Sequence, residues 1–254
     1  MRGWTSLFSS VNLIFCALVT GFAAGVHGAV GIGFPLIATP LLAMVLDVKT
    51  AVLILVLPTV AINAANIIKG GNWSDSIGRY WPLALYGMAG SFIGTRILVA
   101  APPELFRPLL AFVIILYLNA ERLGFGFSWI TVHPRTATAV FGLFAGLLGG
   151  TVNVMLPALV IFSLETKMDK TAMIQVFNLC FLTGKLTQGA VFISTGHFTV
   201  EVLKTALPLA AIALVVMVLT MTLRERINSK TYRKWLRRLL ALMAGVLVIQ
   251  SITG

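Results

Sequence analysis

Lys185 stands inside the apolar run "QVFNLCFLTGKLTQGAVF". With Gln175, Asn178 and Gln188 it falls within about 140° of a helical wheel turning at 3.6 residues per turn. One polar face with one cation thus interrupts a lipid-compatible helix. Placing a lysine at membrane depth is expensive, so such a residue marks a functional site by default. The alternative is a stem that snorkels to the head groups. An earlier apolar segment carries Asn63 and Asn66, three apart and so on one helix face. Thr151 and Asn153 add polar atoms to a glycine-rich stretch. The set is neutral amides and hydroxyls plus one positive charge, with no carboxylate. That chemistry suits a small oxyanion and does not suit Na⁺ or a cationic substrate.

These side chains must be held by apolar elements. The chain is 58% hydrophobic and 11% charged, about half the charge of a soluble domain. No charged residue occurs between Arg2 and Asp47 or between Arg135 and Glu165. Each gap exceeds the ~20 residues of a membrane helix. The sequence therefore predicts an all-α polytopic membrane protein in the lipid bilayer. The net charge of +11 is not a nucleic-acid signature, because seven of the nineteen basic residues sit between Arg224 and Arg238 beside apolar spans. There they set topology and meet anionic lipid. Cys16 and Cys180 lie inside spans and read as packing residues. The N-terminal apolar run outlasts a signal-peptide core, so it reads as a retained first helix.

Two segments break the pattern of simple spans. "GVHGAVGIGFPLIATP" (Gly25–Pro40) and "GLFAGLLGGTVNVMLP" (Gly142–Pro157) set glycine and proline amid apolar residues. Non-helical backbone at membrane depth is tolerated only where protein or water covers it. A helix starting after such a break points its N–H groups and positive dipole end at the gap, which suits an anion. Gly33 and Asn153 are thereby candidate site residues. His27, inside the first break, is either bonded to backbone or a proton-coupling group. Gly87, Gly90 and Gly94 read as close helix packing.

The apolar segments fall into two similar sets. Gly25, Gly33 and Pro40 match Gly142, Gly150 and Pro157; "KTA" recurs at Lys49 and Lys170, and "PLA" at Pro82 and Pro208. The expectation is two homologous halves, residues 1–122 and 123–254, of about four transmembrane helices each. Each half opens with a broken or re-entrant Gly/Pro-rich segment. Lys and Arg distribution puts Arg224–Arg238 in the cytoplasm. Alternation then puts Lys167–Lys170, Lys49 and Arg96–Arg107 on that side. Gly71–Trp73, Gly196–Thr199, the Glu121–Arg135 connection and both termini fall on the other.

The two glycine-proline openings ("GAVGIGFPLIATPLL"), the turns "GGNWSDSIGRYWPLAL" and "STGHFTVEVLKTALPLA", and "GSFIGTRIL" resemble the TauE/SafE sulfite exporter (TSUP) family. The resemblance covers nearly the whole chain. It implies a bacterial or archaeal inner-membrane protein that moves sulfite or organosulfonates, mostly outward. From the residues alone the expectation is a secondary transporter of a small anion. Lys185, Gln188, Asn63, Asn66, Gly33, Asn153, Gln175 and Asn178 would form its binding site, with protons or another ion as the coupling partner. A membrane scaffold or partner subunit with a structural Lys185 is the rival class. An intramembrane enzyme lacks a catalytic set. No cofactor motif and no metal-ligand cluster is present in the sequence, and nothing in it gives the oligomeric state.

Overall fold

The structure, a computed structural model, describes residues 10–71, 73–123, 129–223 and 229–253. Every regular element among them is helical. In chain order they are α1 (Ser10–Val30), α2 (Phe34–Ala43), α3 (Val48–Ile54), α4 (Val56–Gly70), α5 (Arg79–Ala100), α6 (Phe106–Leu123), α7 (Trp129–Val132), α8 (Pro134–Val152), α9 (Leu156–Glu165), α10 (Lys170–Ser194), α11 (Val200–Met221) and α12 (Ser229–Thr253). A π-turn, Ser74–Gly78, leads into α5, and a 3₁₀ turn, Pro103–Leu105, into α6. Six helical stretches are long and apolar enough to span a membrane. A seventh is the α3–α4 pair, bent by 46°. This is a multi-pass membrane protein. The chain ahead of Ser10, Arg2 included, lies outside the described residues, as does much of Arg224–Arg238.

Local chemistry explains where the helices stop. α1 ends at Gly31 and Gly33, whose φ of 98° and 109° are left-handed values that glycine adopts without a Cβ clash. Pro35 then sits in the first turn of α2, where its missing N–H costs nothing. α8 ends at Asn153, φ 64°, the residue type that tolerates this region next best. The bend at Leu55 lies three residues before Pro58, which cannot donate to the Ile54 carbonyl. Asp47 caps α3 through the Thr50 N–H and hydroxyl. Asp169 caps α10 through the N–H groups of Thr171 and Ala172. At ten residues each, α2 and α9 reach about 15 Å, half a hydrocarbon core.

Helix directions follow from the contacts. α5 and α8 run parallel and nearly touch. A Cβ on Gly146 would lie 2.0 Å from the Gly87 carbonyl oxygen, and one on Gly94 2.4 Å from that of Leu147. Gly87, Gly90 and Gly94 therefore serve close backbone packing. α1 and α11 are also parallel, with Gly28 against Met217 and Thr220. α4 and α10 are antiparallel: Gln175 reaches Gly71, Asn66 meets Asn178, and Gly189 lies against Val56. Cys16 and Cys180 are buried free thiols in the packing.

These directions correct the expected topology. Lys49, at the start of α3, donates 2.8 Å to the Val99 carbonyl at the end of α5. Gly71, at the far end of α4, lies beside the start of α10. Lys49 and Lys170 are thus at opposite ends of the bundle, and Gly71 shares a face with Lys170. The chain breaks at 31–33 and 153–155, between α1 and α2 and between α8 and α9; for 134–165 the expectation was one crossing plus a broken or re-entrant piece. One face now carries Lys69, Arg79, Arg135, Lys167, Lys170, Lys234, Arg237 and Arg238. The opposite face carries Lys49, Arg96, Arg107 and Lys204, together with the start of α1 and the end of α12, where Gln250 reaches the Met44 carbonyl.

Candidate functional site: a cation and an amide ladder on α10

α10 runs through the centre of the bundle against α4, α5 and α8. Its amides meet the ends of other helices. Gln175 Nε2 donates to the Gly71 carbonyl at 2.9 Å and the Ile67 carbonyl at 3.4 Å, at the end of α4. Asn178 Nδ2 donates 2.8 Å to the Gly31 carbonyl, just past α1. Gln188 Nε2 donates 2.8 Å to the Gly150 carbonyl in the last turn of α8. The last four carbonyls of any helix lack intrahelical partners. In water the solvent would take them; here a membrane-buried helix supplies three amides instead. Each such bond removes a penalty of about 1–3 kcal/mol for an orphaned buried group.

The first break is closed by neutral side chains. Asn66 Nδ2 lies 2.7 Å from the Gly31 carbonyl, 3.1 Å from Asn178 Oδ1 and 3.1 Å from His27 Nε2. The Phe34 N–H, first in α2, donates 3.3 Å to His27 Nδ1. A ring nitrogen that accepts carries no proton, so His27 is the neutral imidazole here. Gly33 supplies the turn that brings Phe34 to His27. The first N–H of α2 is therefore already taken by protein.

The second break differs. Asn153 Nδ2 reaches Thr39 Oγ1 of α2 at 2.8 Å, while its Oδ1 is buried without a partner. Near it on α10, Lys185 is 2% exposed and donates to Gln188 Oε1. Gln188 is thereby held at both ends, by the Gly150 carbonyl and by the ammonium. Ser91 of α5 donates 2.7 Å to the Gly184 carbonyl and fixes the turn that carries Lys185. The one ion pair among the described residues is Lys204–Glu201 on the surface. A carboxylate is thus not what faces Lys185. An ammonium has three protons to donate, and its partner here is a single neutral amide.

The candidate residues therefore do not form one ring. Asn66, Asn178 and His27 come together at the first break, and Lys185 and Gln188 come together beside the second. Along α10 Asn178 and Lys185 are two turns apart, about 10 Å at 1.5 Å per residue. Asn63 lies on α4 between these levels. It spends its Nδ2 on the Thr59 carbonyl of its own helix at 2.7 Å, and its Oδ1 is buried and unpartnered. Gln175 caps α4 near the basic face. Sequence reasoning missed Thr59, whose buried hydroxyl also lacks a partner; its spacing of four from Asn63 was the one signal. It also missed Ser91 and Thr39, ordinary in sequence, whose partners are more than ninety residues away.

The fold and this interior define a class: a helical membrane protein with two mid-bundle breaks and a buried cation between packed helices. The family model for the sulfite exporter TauE/SafE matches residues 13–250. The chain belongs to that family. No curated protein and no solved structure matches it.

Proposed function

We propose that this protein is a secondary transporter, an exporter by family, of a small sulfur-containing anion such as sulfite or an organosulfonate. The carrying observation is Lys185, sealed from solvent with one neutral partner. A charge buried without a counter-charge costs several kcal/mol. An anion that docks against the ammonium offsets that cost. Gln188 holds the ammonium in place and is itself anchored to the Gly150 carbonyl. Asn63 and Thr59 face the same interior from α4. Asn66, Asn178 and Gln175 hold neighbouring helix ends, and Asn153 ties the end of α8 to Thr39 of α2.

The proposed architecture is two halves, 1–122 and 123–254, of opposite orientation, each opening with a re-entrant segment. The parallel pairs α5–α8 and α1–α11 and the antiparallel pair α4–α10 support it, since inverted halves generate such pairings. Counting α6 beside α12 gives eight crossings. The face rich in Lys and Arg is cytoplasmic, and the membrane is the cytoplasmic one. With no nucleotide motif in the chain, an ion gradient or downhill flux drives transport, and His27 is the group proposed to couple protons. Rocking of one half against the other would expose Lys185 alternately to each side.

Uptake of labelled sulfite, taurine, sulfoacetate and sulfate into liposomes tests this. Wild type carries at least one of them, and Lys185→Ala does not. Flux of none would leave a scaffold or partner subunit as the better reading. Equal flux in both proteins would keep transport and remove Lys185 from the site.

A further inference from the structure

A cavity lies at the basic face, far along the bundle from Lys185. With a volume of about 520 Å³, it opens where α5, α7, α8 and α9 meet, lined by Arg79, Arg135, Tyr80, Tyr86, Thr131 and Thr166 among others. Among the described residues its lining has two guanidiniums and no Asp or Glu. The Arg79 guanidinium lies 5.5 Å from the centre of the Tyr80 ring, which meets Phe162 edge-on at 6.5 Å. Phe162 in turn packs on Phe141, and Phe141 on Trp129, so an aromatic floor supports the pocket. α8 starts at this wall, and the side chain of its N-cap residue His133 makes no capping bond. Two cations, an aromatic wall and a helix start ask for an oxyanion with an apolar portion.

The surroundings specify which. Trp73 and Trp81 are about half exposed (52% and 53%) at this end of α5. Tryptophan at such positions marks head-group depth. On the pocket's side of α5, Tyr86, Ile93 and Ile97 are exposed and continue as an apolar strip away from the arginines. A ligand whose phosphate sits at the arginines can lay hydrocarbon along that strip. We propose that the Arg79–Arg135 pocket binds the phosphodiester of an anionic phospholipid. Arginine is suited to it, since its planar fork takes phosphate oxygens two at a time.

The experiment compares wild type with Arg79→Gln/Arg135→Gln and Arg79→Lys/Arg135→Lys, each solubilised from mixed phosphatidylcholine and phosphatidylglycerol membranes. Lipids retained on the protein are counted by mass spectrometry, and thermal unfolding is followed in phosphatidylcholine nanodiscs with and without inorganic phosphate. The expected result is enrichment of phosphatidylglycerol on wild type, lost by about tenfold in the Gln pair and only partly kept in the Lys pair, which supplies the charge without the bidentate fork. Equal phosphatidylglycerol on wild type and the Gln pair overturns the proposal. Stabilisation by inorganic phosphate without lipid enrichment also overturns the lipid assignment and gives the pocket to soluble oxyanions. Because the readouts are lipid retention and stability, they stand or fall independently of flux through Lys185.

Discussion

The two breaks solve one physical problem with different chemistry. Each ends a helix inside the bundle and leaves carbonyls that lipid cannot satisfy. At the first, two glycines with positive φ make the turn, and Asn66, Asn178 and His27 close around the Gly31 carbonyl and the Phe34 N–H. Everything there is neutral. At the second, an asparagine makes the turn, one amide caps the Gly150 carbonyl, and that amide's other end holds an ammonium. The difference says which break would respond to an anion under the proposed function: the first is satisfied from within the protein, whereas the second holds a buried lysine with one neutral partner.

The largest effect expected from this contrast is at Lys185. Lys185→Met keeps most of the volume and removes the charge. Sulfite flux should fall by about a hundredfold, as loss of a buried, charge-assisted contact implies, while thermal stability holds or rises because no charge is buried. A stable variant with wild-type flux would erase the contrast.

Next comes Asn66→Leu at the first break. It strips a donor from the Gly31 carbonyl and a partner from Asn178. Unfolding in detergent should show a loss of about 2–3 kcal/mol, with the affinity of the surviving protein for sulfite unchanged. A loss of affinity with intact stability would show that the first break also meets the ligand.

Smaller is the effect of Asn153→Gly, which keeps the left-handed turn and removes the bond to Thr39. About 1 kcal/mol should be lost, and Asn153→Val should lose more because a β-branched residue resists that φ. Equal losses would mean that the backbone conformation does not matter there. The smallest change is His27→Gln, in which the Gln Oε1 can accept from the Phe34 N–H but does not titrate. Stability should be near wild type, and flux should lose its dependence on an imposed pH gradient. Retained dependence would take His27 out of coupling.

Much of this interior is legible in the residues alone. A lysine in an apolar run, amides at helical spacing and two glycine-proline stretches are each costly in a membrane, so each advertises a purpose. What each amide does is not legible there. Asn178 and Gln188 look alike on a helical wheel, yet one caps α1 and the other caps α8 while holding Lys185. Their donors are spent on carbonyls more than thirty residues away, and no local pattern names such a partner. The side assigned to Lys49 misleads for a related reason. Ten-residue helices with weak periodicity carry no sign of whether the chain proceeds or turns back.

The sequence by itself determined the solvent, the helical class, the positions of both breaks and the presence of one lysine within an apolar span, because these depend on composition and on local backbone chemistry. Only the tertiary structure decided direction and partnership. It showed that α4 and α10 are antiparallel and that the amides serve mainly as caps. It also showed that Arg79 and Arg135 share a pocket. Those facts depend on which helix ends meet, and that is set by glycine-allowed close approach and by where orphaned carbonyls find donors across the whole bundle.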